Sequence, residues 1–217
     1  MVSASITLPV YPIDEQVVRY FHECVRRIRE YTTDYQLIVV QNGGEPLDFS
    51  GQGEDEFLYA SLPWGYTRAL NAGLAWTRGH YLGAISADVM VGPGWLDTLK
   101  KELNEHGPGV ICPSDADTIA GVVDAGWGAC WLTTKDVYAQ VGPHDELLCR
   151  FSDQDWWIRC RQAGFKVLRT GSVRVTHDDG STVKKIPEEV ARWPLDEQRM
   201  REKHGVATYE EWKRQCD

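Results

Sequence analysis

The chain has 217 residues, of which 42% are hydrophobic and 25% charged, the composition of one soluble folded domain; a two-domain enzyme of common size is excluded. No apolar run reaches the length of a membrane span, and a net charge of −9 disfavours tight non-specific binding to a phosphate backbone. Six cysteines are scattered without a C-x-x-C pair, which fits reduced thiols in a cytoplasm and argues against structural zinc. The start, MVSASITLPVYP, lacks a basic n-region and an apolar h-region, so it reads as a first strand of a cytoplasmic protein and not as a signal peptide.

Ile6, Leu8 and Val10 alternate as in a strand, and Pro9 to Pro12 close it as a loop. Asp14 then caps a helix with an apolar face of Val17, Val18, Phe21, Val25 and Ile28. Residues 37–40 (LIVV) form a continuous apolar run, typical of a strand buried on both faces, and residues 41–44 (QNGG) turn the chain. A weaker strand at 57–60, a helix around Tyr66 to Leu74 and a strand at 81–85 follow. Pro93 marks a helix start, Trp95, Leu96, Leu99 and Leu103 give its buried stripe, and 110–112 is the next strand. This alternation predicts a mostly parallel sheet between helices, with ligands at the carboxyl ends of the strands.

From residue 114 the texture turns glycine-rich and mixed. A short helix is expected at 134–141, a helix capped by Ser152 or Asp153 and ended by Gly164, and short strands at 166–169 and 173–177. Residues 183–217 carry eight charges of each sign, so the excess negatives lie in residues 1–182. This tail reads as amphipathic helices with helix-start prolines at Pro187 and Pro194 and a capping box, Thr208 with Glu211.

Four residues at three element ends carry candidate chemistry. Asp88 follows a buried strand, where a carboxylate suits a hard divalent ion or simply caps a turn. His177 ends a strand before the polar residues 178–181, and is a ligand or a solvated imidazole. Asp153 and Asp155 open a helix, one as a cap and the other as a general base for an acceptor hydroxyl. Nine tryptophans are unusually many; most are core filling, and one or two exposed indoles would suit a sugar face.

Residues 37–43 (LIVVQNG), 65–74 (GYTRALNAGL), 78–81 (RGHY), Asp88 and 93–96 (PGWL) resemble family 2 glycosyltransferases of GT-A fold. The resemblance continues through 128–130 (GAC), 141–146 (VGPHDE), 151–155 (FSDQD), Arg159, 163–165 (AGF) and His177, and spans about residues 5–182. It implies an α/β, GT-A-like fold: a mostly parallel central sheet flanked by helices, a smaller mixed second half and a helical C-terminal tail. Residues 1–182 would form the catalytic domain, with 1–113 binding the nucleotide, 114–182 facing the acceptor and 183–217 as an appendage.

The resemblance also implies an inverting, metal-dependent transfer from a nucleotide-sugar, usually a UDP-sugar, to an acceptor hydroxyl. Asp88 and His177 would hold Mn²⁺ or Mg²⁺, and Asp153, with Asp155 as the alternative, would be the base. Val10, Tyr11, Pro12, Gln41, Asn42, Arg68, Asn71, Ser86 and Ala87 would bind the donor, and Trp127, Trp131 and Trp156 the acceptor. That acceptor would be a glycan, a protein or a modified nucleobase. Three departures stand out: Gln41 replaces the usual uracil-reading Asp, Ser86 the first acid of the D-x-D motif, and Ser152 the Glu of the E-D motif. The competing reading is a non-catalytic nucleotide or sugar binder of the same fold. Nucleotidyl transfer is set aside because the chain has no G-x-x-x-x-G-K-[ST] phosphate cradle.

Overall fold

The structure, a computed structural model, describes residues 2–115, 119–178 and 182–216, with the backbone only for Val183 and Cys216. The expected turn at 179–181 and the Cys216 thiol lie outside the described residues. In chain order the elements are β1 (Ala4–Val10), α1 (Glu15–Tyr31), β2 (Tyr35–Asn42), β3 (Glu56–Ala60), α2 (Tyr66–Leu74), β4 (Tyr81–Ile85), β5 (Val89–Met90), α3 (Trp95–His106), β6 (Gly109–Ser114), β7 (Val122–Asp124), β8 (Cys130–Thr134), α4 (Lys135–Val141), α5 (Ser152–Gln162), β9 (Lys166–Arg174), β10 (Thr176–His177), α6 (Pro187–His204) and α7 (Tyr209–Cys216).

Eight strands form one sheet in the order β3-β2-β1-β4-β8-β6-β9-β7, and β10 pairs with β5 in a small second sheet. The first four strands are mutually parallel, β8 runs against β4 and β6, β9 is parallel to β6, and β7 is antiparallel to β9. The mostly parallel α/β sheet expected from the sequence is therefore present. Among the described residues no helix is long and apolar enough to cross a membrane.

Strand periodicity explains the layering. Ile6, Leu8, Leu37 and Val39 face one cluster with Val17, Phe21 and Ile28 of α1 and Trp95 and Leu99 of α3. Ile38 and Val40 face the other side, against Ala69 of α2. Gly73 lets α2 lie close to the sheet, since a Cβ there would come within 2.3 Å of Thr7 Cγ2. Leu82, Ala84 and Val110 join Trp131, Trp156, Trp157, Met200 and Tyr209 in a second large cluster, so the C-terminal helices share the core of the body.

Several boundaries differ from the sequence reading. Pro9 stays inside β1, paired with Val40; the β4 ladder ends at Thr7, so the missing N–H empties no rung there. Gln41 and Asn42 close β2 instead of opening a turn. Helix α3 starts at Trp95 with Gly94 as its N-cap, placing Pro93 outside it. Phe151 is the N-cap of α5, so Ser152 and Asp153 lie within its first turn and neither is the cap. Pro194 lies inside α6, where the buried Asp196 and Met200 anchor the helix despite one lost backbone donor. Residues 166–174 form one strand, whereas Asp14 does cap α1, accepting from the Val17 N–H at 2.9 Å.

Candidate active site

Because β1, β2 and β4 are parallel, their carboxyl ends share one edge of the sheet, where Val10, Asn42 and Ile85 terminate them. A cavity of about 460 Å³ opens at that edge. Its walls include Val10, Tyr11 and Asn42 from the first two strands and Ser86, Ala87 and Asp88 from the turn after β4. Trp127, Gly128, Asp153 and His177 complete the same lining, so residues 177 and 88, far apart in the chain, meet with Asp153 in one space.

Asp88 and His177 are brought together by the small sheet. His177 pairs with Val89, the residue after Asp88, and its Nε2 lies 3.4 Å from Asp88 Oδ1. Both side chains are nearly covered, at 12% and 11% exposure. The Trp127 ring meets the imidazole edge-on, with the ring centroids 5.4 Å apart. A carboxylate and an imidazole suit Mn²⁺ or Mg²⁺ as two protein ligands. Among the described residues no group of three or more His, Cys, Asp or Glu side chains is placed to hold a metal. The pair offers two protein ligands, one carboxylate and one imidazole.

Asp153 occupies the first turn of α5. Burial pushes its carboxyl up to about 6, while the amides of Gln154 and Asp153 itself and the Arg150 charge pull the other way. A carboxylate so placed is tuned to accept a proton near neutral pH. Gly128 makes room for it: a Cβ at that position would stand 2.2 Å from Asp153 Oδ2 and 2.9 Å from its Cγ. Gly128→Ala is therefore expected to swing the carboxylate aside and lower kcat by about a hundredfold, the cost of a displacement on the order of 1 Å. Steady-state kinetics with a parallel thermal melt check this, because the fold should melt close to wild type.

A family model described as glycosyl transferase family 2 matches residues 5–147. The chain belongs to glycosyl transferase family 2. It is thus a glycosyltransferase with the GT-A-like fold. The fold is shared with TarS residues 1–349 from S. aureus, at 11% identity and a TM-score of 0.68. That match covers 92% of this chain and 66% of the solved one, so the chain spans about two thirds of its length. A comparison with curated proteins found no match.

Within this glycosyltransferase, several expected site residues lie away from the cavity. Asp155 is fully buried on another side of α5, bound to Arg159 Nε at 2.8 Å, Lys203 Nζ at 2.6 Å and His204 Nε2 at 2.8 Å. Trp131 and Trp156 are 1% and 0% exposed and stack on each other at 5.3 Å, so they are core and meet no acceptor. Gln41 is buried and holds the loop after β2: its amide donates to the carbonyls of Gly43 and Glu45 and accepts from the Leu47 N–H. Arg68 pairs with Glu146, and Asn71 brackets the His144 backbone, so both clamp α2 to the loop before α5. Pro12 packs beside Gly44, outside the cavity lining. Of the residues expected to bind the donor, Val10, Tyr11, Asn42, Ser86 and Ala87 do line it, as does Trp127 on the acceptor list.

The sequence reading missed another wall. Cys149 and Arg150, just before α5, and Glu189 and Trp193, on α6, also line the cavity. Burial and the Glu189 carboxylate push the Cys149 thiol up to about 12, and its Sγ donates to Glu189 at 3.2 Å. The Arg150 guanidinium lies over the Trp193 ring at 4.3 Å. Asp196 of α6 accepts from the N–H groups of both Cys149 and Arg150, at 3.0 and 3.1 Å, and so splints the loop that leads into Asp153. The one sequence signal for this wall was a tryptophan in a highly charged amphipathic helix.

Proposed function

We propose that the chain transfers a sugar from a nucleotide-sugar, a UDP-sugar foremost, to an acceptor hydroxyl, with inversion at the anomeric carbon and with help from Mn²⁺ or Mg²⁺. The observation that carries the reading is the convergence of Asp88, His177 and Asp153 on one cavity at the carboxyl edge of the parallel strands. Asp153 accepts the acceptor's hydroxyl proton as the oxygen bonds to the anomeric carbon. The bond from that carbon to the phosphate oxygen breaks, and its electron pair leaves with the nucleoside diphosphate.

Asp88 and His177 would hold the divalent ion. When bound there, it supplies positive charge to the departing diphosphate. Val10, Tyr11 and Asn42 form the wall for the nucleobase end, and the short turn at Ser86 and Ala87 lets the donor approach the backbone. Asn42 is 4% exposed and its Oδ1 is fixed by the Trp64 N–H, which orients the amide.

The test is a panel of nucleotide-sugars with and without Mn²⁺, read by thermal shift and by release of nucleoside diphosphate. UDP-sugars are expected to raise the melting temperature by several degrees when the metal is present, following mass action. A protein that neither binds nor consumes any nucleotide-sugar under these conditions sinks the reading.

A further inference from the structure

We infer that the cavity wall formed by α6 is the acceptor seat, and that it takes a saccharide through the Trp193 indole N–H and the Glu189 carboxylate. The inference rests on the transferase reading of the same cavity. An acceptor must bring its hydroxyl to Asp153, so the groups that read it belong beside the loop leading into that residue. Both α6 side chains are fastened there, Glu189 through the Cys149 thiol and Trp193 through the Arg150 guanidinium.

Trp193 Nε1 is buried and has no hydrogen-bond partner, although the residue lines the cavity. An unmet buried donor is uncommon in a folded protein, and one just behind a cavity wall gains an acceptor when a small shift of the ring brings it to a bound ligand. Glu189 receives the Cys149 thiol, a weak donor that leaves most of the carboxylate's lone pairs open. A donor, a carboxylate acceptor and the apolar Ile186 in one lining are the group types that read the hydroxyls and ring carbons of a saccharide.

A nucleobase acceptor would need open ring faces for stacking. An arginine already takes one of the two faces of each cavity indole, Trp193 by Arg150 at 4.3 Å and Trp127 by Arg169 at 4.9 Å, which limits stacking there to the other face. The net charge of −9 also opposes a nucleic acid.

The experiment measures transfer from the nucleotide-sugar that wild type consumes, onto methyl glycosides, a serine-rich peptide and a hydroxymethylated DNA duplex. Wild type is expected to glycosylate a methyl glycoside. Trp193→Phe keeps an aromatic ring for Arg150 but loses the N–H together with part of the indole's area, so the KM for the glycoside should rise about three- to tenfold with the donor KM steady. Glu189→Gln should raise it about tenfold. Transfer only to the peptide, the duplex or water overturns the inference and leaves the transferase reading intact. So does a Trp193→Phe variant with unchanged acceptor KM, or one whose donor and acceptor KM rise together. A wild type that consumes no nucleotide-sugar brings down both.

Discussion

Asp153→Asn should lower kcat by about three orders of magnitude while the donor's Kd stays within about threefold of wild type. General-base catalysis contributes 10²- to 10⁴-fold, and an amide of the same shape keeps the first-turn contacts while losing the capacity to take a proton. Because burial holds the carboxyl up at about 6, wild-type kcat should climb as pH rises through 6 and level off above about 7. The variant's residual rate should lack that rise. The stability effect runs the other way. A folded pKa above the ordinary 3.8 means that the native state binds the proton more tightly than the unfolded chain does. The carboxylate form is therefore a burden at pH 8, and the Asn variant should be more stable there by about 1–3 kcal/mol, a gain that disappears below pH 4. Single-turnover kinetics and melts at the two pH values decide it; an Asn variant with near-normal turnover would remove Asp153 from the chemistry.

Asp155→Ala should instead destabilise the protein by about 3–5 kcal/mol, the cost of leaving buried charges without their partner. Burial pushes the Asp155 carboxyl up, but Lys203, Arg159 and His204 together outweigh it and hold the carboxyl below its ordinary value. The stability this contributes is present above the unfolded pKa of about 3.8 and is lost as pH falls through the lowered folded one. For a chain of this size the loss corresponds to roughly 10 °C in melting temperature. Urea melts at neutral pH check the size, and a variant as stable as wild type would show that the network contributes nothing. Two aspartates two residues apart thus give opposite outcomes, because side chains at i and i+2 on a helix do not share a face.

The first half of the fold was legible because its signals are local. The alternation in β1, the Asp14 cap of α1 and the apolar run of β2 each fit within one element. Asp88 and His177 could be flagged as strand-end residues, but their meeting depends on a two-residue ladder, too short to show any period. Trp131 and Trp156 look the same in sequence whether they face a sugar or the core, and only the stacked cluster decides. Gln41, Arg68 and Asn71 were misjudged for a common reason. An amide or guanidinium that organises a loop has the same composition as one that binds a ligand; Gln41 and Asn71 spend theirs on backbone groups and Arg68 on Glu146, pairings that sequence spacing does not reveal. The α6 wall had Trp193 as its one signal, because it reaches the cavity from a segment whose sequence is dominated by balanced surface charge.

The splint made by Asp196 has a bearing on biosynthesis. The carboxylate that organises the Cys149 and Arg150 amides enters the chain 47 and 46 residues after them, and Lys203 and His204 follow later still. Domains fold as their elements are made, from the N-terminal side, so the loop leading into Asp153 is fixed only once α6 has emerged and docked. The order of that loop thus depends on a helix made well after it, and a chain cut before Asp196 carries the β1–β4 layer with the Cys149 and Arg150 amides unsplinted.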